Sequence, residues 1–234
     1  MRILALESSA KAASAAIVKD GSLEAIAFQN TGLTHSRTLM PMVRDLLKNS
    51  DVSFDDVDLI AAATGPGSFT GIRIGASAAK GLAWASGKPC MGVSTLDAMA
   101  HGIMHLKGLI CCVMDARRNE LYNALFESDG ESLRRMCEDR AVSIEKLGEE
   151  LRDMTKSVVL VGDGAHISFE RLKEKCPGLV MAPPHLLHQN AWGVAMAAEA
   201  AFNEGKPAGL TSLNPVYIRM SQAERERLEG KYKK

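Results

Sequence analysis

The sequence has no net charge, few aromatic residues and no long apolar run. Its 28 basic side chains balance its 28 acidic ones, and aromatic residues make up 5% of the 234 residues. A chain that binds nucleic acid by itself usually carries a basic excess, so the balance argues against that class. No apolar stretch approaches the roughly 20 residues that span a bilayer, which predicts a protein with no membrane partner.

The cysteines form neither a disulfide framework nor a CxxC pair. There are five of them, an odd number, and Cys111 and Cys112 stand side by side in an apolar run. This pattern is typical of reduced, buried thiols and therefore predicts a cytoplasmic protein.

The first half of the chain reads as alternating strands and helices. Short apolar runs at 3–6, 14–18 and 23–28 predict three strands, and Asp20-Gly21 is a strong hairpin turn between the last two. We expect a β-meander there. The segments that follow are predicted as a helix at 35–48, a strand at 58–64, a helix from about 71 to 86, a strand at 90–93 and a helix from Ser94 to about Leu106.

The second half repeats this opening. A strand at 109–114 ends at Asp115, as the first strand ends at Glu7, and Asp129-Gly130 forms a second hairpin turn. A duplicated pattern of strand, acid, strand, Asp-Gly turn and strand indicates an internally duplicated fold. Later segments predict helices at 143–154, 165–175 and 190–204, and strands at 157–161 and 216–218.

These patterns predict an α/β protein with a duplicated actin-like (ASKHA, ribonuclease H-like) fold. Each of its two lobes should contain a β-meander followed by βα units. We place the N-terminal lobe at residues 1–107 and the C-terminal lobe at 108–234, with a charged tail at 223–234.

A glycine-rich loop is the sharpest motif. Gly65, Gly67, Ser68 and Thr70 lie between a buried strand and a helix, where exposed backbone N–H groups and the helix N-terminus suit an anion such as a nucleotide phosphate. No Gly-Lys-Ser/Thr follows, so this is not a Walker loop. A tight strand-to-helix turn with close packing explains the same glycines equally well.

Two acids and a second glycine turn are weaker candidates for the same nucleotide. Glu7 and Asp115 end equivalent strands, where phosphotransferases of this fold class hold magnesium, and Gly162 and Gly164 stand where the fold holds adenosine. Acids at strand ends also accept hydrogen bonds from their own turns. With no basic phosphate ligand nearby in the sequence, the second interpretation of the acids is favoured.

Several segments together resemble one family. They are ILALESSAKAASAAIVKDG, THSRTLMPMV, TGPGSFTGIRIG, GVSTLDAMA, DARRNELYNALF and NPVYIR, in order from Met1 to about residue 220. The chain is similar to TsaB, also called YeaZ, the bacterial partner of TsaD in making threonylcarbamoyladenosine at adenosine 37 of tRNA. The resemblance implies the duplicated actin-like fold. One departure is Glu7, which replaces the shorter aspartate usual in the family and argues against tight nucleotide binding by this chain alone.

The resemblance also implies that the metal centre of TsaD is missing. TsaD-like proteins hold a metal with an HxxxH pair, and Thr95 and Met99 stand at those two positions here. Neither replaces an imidazole, so we expect no catalytic residue and no metal ligand in this chain. We expect no cofactor bound by the chain alone, and ATP or ADP and a metal ion only in the assembled complex.

The same resemblance implies the partners. TsaB proteins pair with TsaD, and with themselves when alone, through helices of the N-terminal lobe. Carried over to this sequence, the contact residues are Leu39, Met42, Val43, Leu46, Ile72 and Arg73. TsaE completes the set of partners, and tRNA is reached through the complex. The chain is thus predicted to be a non-catalytic scaffold that activates TsaD.

Two enzymatic alternatives remain open. The first is an ATP-dependent phosphotransferase of the actin-like fold that uses Glu7, Asp115 and the two glycine turns. The second is a glycoprotease-like metallopeptidase, a label that relatives have carried. It would need His101 and His105, spaced i, i+4 on one helix, but no glutamate follows His101 and no third ligand is evident.

Overall fold

The computed structural model describes residues 1–154 and 156–219. The charged tail predicted at 223–234 lies outside these residues. Within them, no helix is both long enough and apolar enough to cross a membrane.

The first sheet has five strands in the order β3-β2-β1-β4-β5. Strands β1 to β3 form the predicted antiparallel meander, and β4 and β5 add parallel to β1. Their bounds are β1 Arg2–Glu7, β2 Ala13–Lys19, β3 Ser22–Gln29, β4 Leu59–Gly65 and β5 Cys90–Ser94. β4 is buried at every residue because helices cover both faces of the sheet, which is why it reads as one continuous apolar run.

Two helices cover one face of this sheet. They are α1 (His35–Asn49) and α2 (Phe69–Ser86), and a 3₁₀ helix at Phe54–Asp56 precedes β4. α1 continues through Pro41, and its apolar stripe is buried against the sheet and α2. Ser68 caps α2, since its Oγ accepts a hydrogen bond from Gly71 N (3.2 Å).

The second sheet repeats the first. Its main path runs β11-β10-β6-β7-β8, and β9 pairs with the far end of β7. The strands are β6 Gly108–Asp115, β7 Glu120–Ser128, β8 Leu133–Arg135, β9 Arg140–Ser143, β10 Val158–Val161 and β11 Leu179–Met181, with helices α4 (Ile144–Arg152) and α5 (Ala165–Leu172). Both sheets consist of a meander followed by two parallel strands beside its first strand, so the predicted duplication is confirmed.

Two helices join the lobes, because each one packs into the core of the lobe that the other half of the sequence forms. α3 (Thr95–Gly102) follows the first sheet, yet Leu96 and Met99 lie in the core of the second. α6 (Ala191–Asn203) follows the second sheet, yet Val194 packs with Ile3 in the core of the first. A Cβ on Gly193 would lie 2.1 Å from Ala98 O, so the two helices touch backbone to backbone. The boundary at residue 107 stays a prediction.

Some predicted elements are wrong in detail. The segment at 216–218 is not a strand: it follows Pro215, which has no N–H, and a hydrogen bond from Val216 N to Thr64 O (2.8 Å) holds it in place of a ladder. The helix after Ser94 ends at Gly102 and not near Leu106. Strands β9 and β11 were not predicted, because three or four residues are too few to show a period.

Candidate ligand-binding cleft

A cleft of about 550 Å³ lies between the two lobes. The first lobe contributes the turn after β1 and the loop between β4 and α2. The second lobe contributes the turn after β6 and Asp163, which follows β10. The final described segment, 216–219, completes the wall. Gly67, Ser68, Thr70 and Asp115 of the predicted site all line this cleft, so the structure brings together motifs that are far apart in the sequence.

Close backbone contact explains the glycine-rich loop. Ser68 N donates a hydrogen bond to Ser9 O (2.6 Å), and a Cβ on Gly67 would lie 2.3 Å from the same oxygen. A Cβ on Gly65 would lie 2.3 Å from Val216 O, and Gly65 does not line the cleft. Tight packing is therefore sufficient to account for both glycines. Ser68 and Thr70 are exposed at the start of α2, where their hydroxyls and the helix N-terminus face the cleft.

Glu7 is buried beneath the cleft and does not line it. The side chain is 1% exposed, its Oε1 accepts a hydrogen bond from Ser9 N, and its Oε2 has no partner among residues 1–154 and 156–219. Burial raises the pKa of Glu7 to about 7, an effect that hydrogen bonds from Ser9 oppose and that the charge of Asp163 reinforces.

Asp115 has a different environment from Glu7. It is exposed, and its Oδ1 accepts a hydrogen bond from Arg117 N (2.7 Å) in its own turn. This matches the interpretation in which an acid at a strand end stabilises the turn that follows.

Asp163 is a cleft residue that the sequence-based prediction missed. Its Oδ1 accepts a hydrogen bond from Gln189 Nε2 (2.8 Å), while burial raises its pKa and the charge of Asp115 adds to the effect. The signal for it was present, because it stands between Gly162 and Gly164. Those two glycines do not line the cleft; a Cβ on Gly162 would lie 2.1 Å from Val113 O, so they let the turn pack against β6.

The cleft carries charges of both signs. Lys11, Arg117 and Arg219 line it together with Asp115 and Asp163. Such a lining suits a polar, partly anionic ligand. In the described part of the chain, no three His, Cys, Asp or Glu residues cluster so that they could hold a metal ion.

The histidine pair is not a metal-binding face of a helix. α3 ends at Gly102, so His105 lies beyond it, and His101 Nδ1 is 3.0 Å from Asp97 O. The expectation that His101 and His105 lie on one helix is therefore wrong.

Four of the six predicted partner contacts lie inside the first lobe. Leu39, Val43, Leu46 and Ile72 are between 0% and 8% exposed. As contact residues these four are wrong, because α1 and α2 turn them towards the sheet. Of the other two, Met42 is half-buried and Arg73 is exposed.

The outer face of these helices carries different residues. Met40 is 40% exposed and Trp84 is 79% exposed, and neither was predicted as a contact. Trp84 lies 14 positions after Thr70 on the exposed side of α2, a helical spacing that could have pointed to it. That α1 and α2 contact a partner stays a prediction.

Comparison with known proteins finds relatives that are similar in sequence along most of the chain. The family model of TsaD, tRNA N6-adenosine threonylcarbamoyltransferase, matches residues 29–207. The tRNA threonylcarbamoyladenosine biosynthesis protein TsaB of Escherichia coli K12 is 35% identical, over 95% of this chain and 96% of that protein. TsaB of Bacillus subtilis 168 is 29% identical, over 98% and 99%.

Solved structures give the same answer for the fold. YeaZ from Pseudomonas aeruginosa superposes with a TM-score of 0.77 at 26% identity, covering 92% of this chain and 99% of that one. Component A of the (R)-2-hydroxyglutaryl-CoA dehydratase of Acidaminococcus fermentans superposes with a TM-score of 0.51 at 14% identity, over 86% and 99%, a likeness of fold alone. The predicted duplicated actin-like fold is confirmed.

Proposed function

This chain belongs to the TsaB family of tRNA threonylcarbamoyladenosine biosynthesis proteins, and we propose that it is a non-catalytic subunit that binds and activates TsaD. In this role TsaD carries out the threonylcarbamoylation of adenosine 37, and the present chain contributes a folded surface and no chemistry. The chain matches the TsaD family model over most of its length.

The observation that carries the proposal is the packing around Thr95 and Met99. These residues stand where TsaD-like proteins have metal-binding histidines. Thr95 is fully buried, and Met99 is 5% exposed in the core of the second lobe. A Cβ on Gly162 would lie 2.4 Å from Met99 Cε, so the thioether fills the space beside this turn. A hydroxyl and a thioether are poor ligands for the metals that imidazole binds, which supports a chain without its own catalytic centre.

The outer faces of α1 and α2 are the proposed docking surface for TsaD. Trp84 on α2 presents a large apolar side chain to solvent, and Met40 on α1 and Arg73 on α2 are also exposed. Aromatic, methionine and arginine side chains are enriched at protein interfaces. The same surface would form the homodimer when TsaD is absent.

The remaining parts of the proposal concern ligands, other partners and location. The balanced charge supports a chain that meets tRNA through the complex. We propose TsaE as a further partner. We propose that ATP or ADP and a metal ion belong to the assembled complex, and that the chain is cytoplasmic.

A reconstituted modification assay tests this function. Unmodified tRNA is incubated with threonine, bicarbonate, ATP and the pathway proteins of the same organism, with this chain present, omitted, or added in place of TsaD. The expected result is threonylcarbamoyladenosine only when both this chain and TsaD are present. Product formed with this chain in place of TsaD would make it the catalyst, and product formed without it would detach it from the pathway and favour the phosphotransferase.

A matched pair of surface variants tests the docking face. Trp84→Glu should lower product formation by about tenfold or more, because a central apolar anchor is replaced by a charge. Phe202→Glu, at a side chain 40% exposed on α6, should stay within about twofold of wild type. Equal effects of the two substitutions would place the interface elsewhere.

A further inference from the structure

The final described segment crosses from the first lobe to the second at the cleft. We call residues 212–219 the strap. Its beginning is fixed in the first lobe: Leu213 is fully buried among the side chains under α1 and α2, and Ser212 Oγ accepts a hydrogen bond from Gly92 N (3.1 Å). Further along, Asn214 Oδ1 accepts a hydrogen bond from Lys80 Nζ (2.7 Å).

The strap lies directly on the backbone of the first sheet. A Cβ on Gly92 would lie 2.1 Å from Ser212 O, and a Cβ on Gly65 would lie 2.3 Å from Val216 O. Glycine at the end of β4 and in the middle of β5 therefore permits a contact that any larger residue would prevent. The sequence is adapted to this position of the strap at two independent points.

The other end of the strap is attached to the second lobe. Arg219 donates a hydrogen bond to Ala116 O (3.0 Å) in the turn after β6 and forms an ion pair with Glu120 (2.5 Å) at the start of β7. Between its two attachments the strap forms one wall of the cleft. The strap thus adds a connection between the lobes to the packing of α3 and α6.

The middle of the strap is held by a small cluster at the surface, which we call the latch. Tyr217 stacks on Phe69 with ring centroids 4.4 Å apart, and its hydroxyl accepts a hydrogen bond from Arg73 Nε (2.8 Å). The Arg73 guanidinium lies 3.8 Å from the centroid of the Phe69 ring. Tyr217 is 40% exposed, so the latch is the part of the strap that can be released without disturbing the core.

We propose that the strap is an interlobe clamp that keeps the cleft closed, and that release of the latch opens the cleft. A change at the α2 surface that releases the latch thereby reaches the second lobe through the strap. The inference concerns this chain alone and does not depend on the proposed function.

Amide hydrogen exchange on the full chain tests the clamp. Tyr217→Ala should speed exchange by about tenfold or more at Val216 N, and also across the cleft at Ala116 N, which is bonded to Glu120 O (3.0 Å). Arg219→Ala breaks the opposite end and should produce the same pair of changes. Phe202→Ala, which removes an equally exposed aromatic side chain from α6, should change neither amide by more than about twofold.

The outcome is read from the amide on the far side of the cleft. If Tyr217→Ala speeds exchange at Val216 and leaves Ala116 unchanged, the strap is only locally attached and the proposal is overturned. Unchanged exchange in the buried strand β4 shows that a variant is folded. Should Tyr217→Ala fail this control, Arg219→Ala, with its effect on Val216 N, decides the question.

Discussion

The buried Glu7 should make the stability of the protein depend on pH. Its folded-state pKa is raised from an ordinary 4.5 to about 7, chiefly by burial. One pKa unit corresponds to about 1.4 kcal/mol, so the protonated carboxyl is favoured in the folded state by about 3 kcal/mol. Because the folded state binds this proton more tightly, the contribution is fully present below pH 4.5 and is lost as the pH rises through 7.

Glu7→Gln isolates this effect. The amide has the shape of the neutral carboxyl and does not titrate, so any change that the substitution itself makes to the free energy of unfolding is the same at every pH. The free energy of unfolding, measured by urea titration from pH 4 to pH 8.5 with tryptophan fluorescence, should fall by about 3 kcal/mol more in wild type than in the variant.

A matched control guards against a general effect of losing a carboxylate. Glu149 is exposed on α4, and Glu149→Gln should leave the pH dependence of wild type unchanged. A difference between wild type and Glu7→Gln that is constant across the whole range would refute the argument. It would mean that the second oxygen of Glu7 is solvated or hydrogen-bonded in solution.

Two further predictions concern packing, each with an internal control. Gly67→Ala should lower the free energy of unfolding by about 2 kcal/mol or more, because its Cβ would lie 2.3 Å from Ser9 O at a φ of 155°. Gly81→Ala on α2 should raise it by about 0.5–1 kcal/mol, because a Cβ there meets no atom within 4 Å. Leu39→Glu should lower the free energy of unfolding by more than about 3 kcal/mol, while Met40→Glu on the exposed face should stay within about 0.5 kcal/mol. Urea titration measures all four, and a neutral Leu39→Glu or Gly67→Ala variant would contradict the packing described here.

Most of the fold could be predicted because the same pattern of strands and turns occurs twice in the sequence. The Asp-Gly turns and the acids at the strand ends marked two equivalent meanders, and each sheet contains the predicted meander. The placement of α6 could not be predicted, since an alanine-rich helix that is apolar nearly all round does not indicate which sheet it covers. Its contact with α3 depends on Gly193 and Ala98, which are about 95 positions apart.

The cleft was predictable in part, for a similar reason. Gly67, Ser68, Thr70 and Asp115 belong to local motifs, and each follows a strand whose end a duplicated fold brings to the same place. The strap residues Tyr217 and Arg219 could not be found this way. Their partners lie on α2 and in the turn after β6, 144 and 103 residues away, and nothing in the local sequence specifies those contacts.

The duplication also shows why equivalent positions need not have equivalent chemistry. Glu7 and Asp115 end the corresponding strands β1 and β6, yet Glu7 is buried and Asp115 is exposed. The loop before α2 packs on the turn after β1, through the hydrogen bond from Ser68 N to Ser9 O, and Glu7 lies beneath the cleft, whereas Asp115 itself lines it. Glu7 does not line the cleft and Asp115 is bound to its own turn, so the two carboxylates do not face one shared magnesium site. The two environments therefore count against the phosphotransferase more directly than either residue does alone.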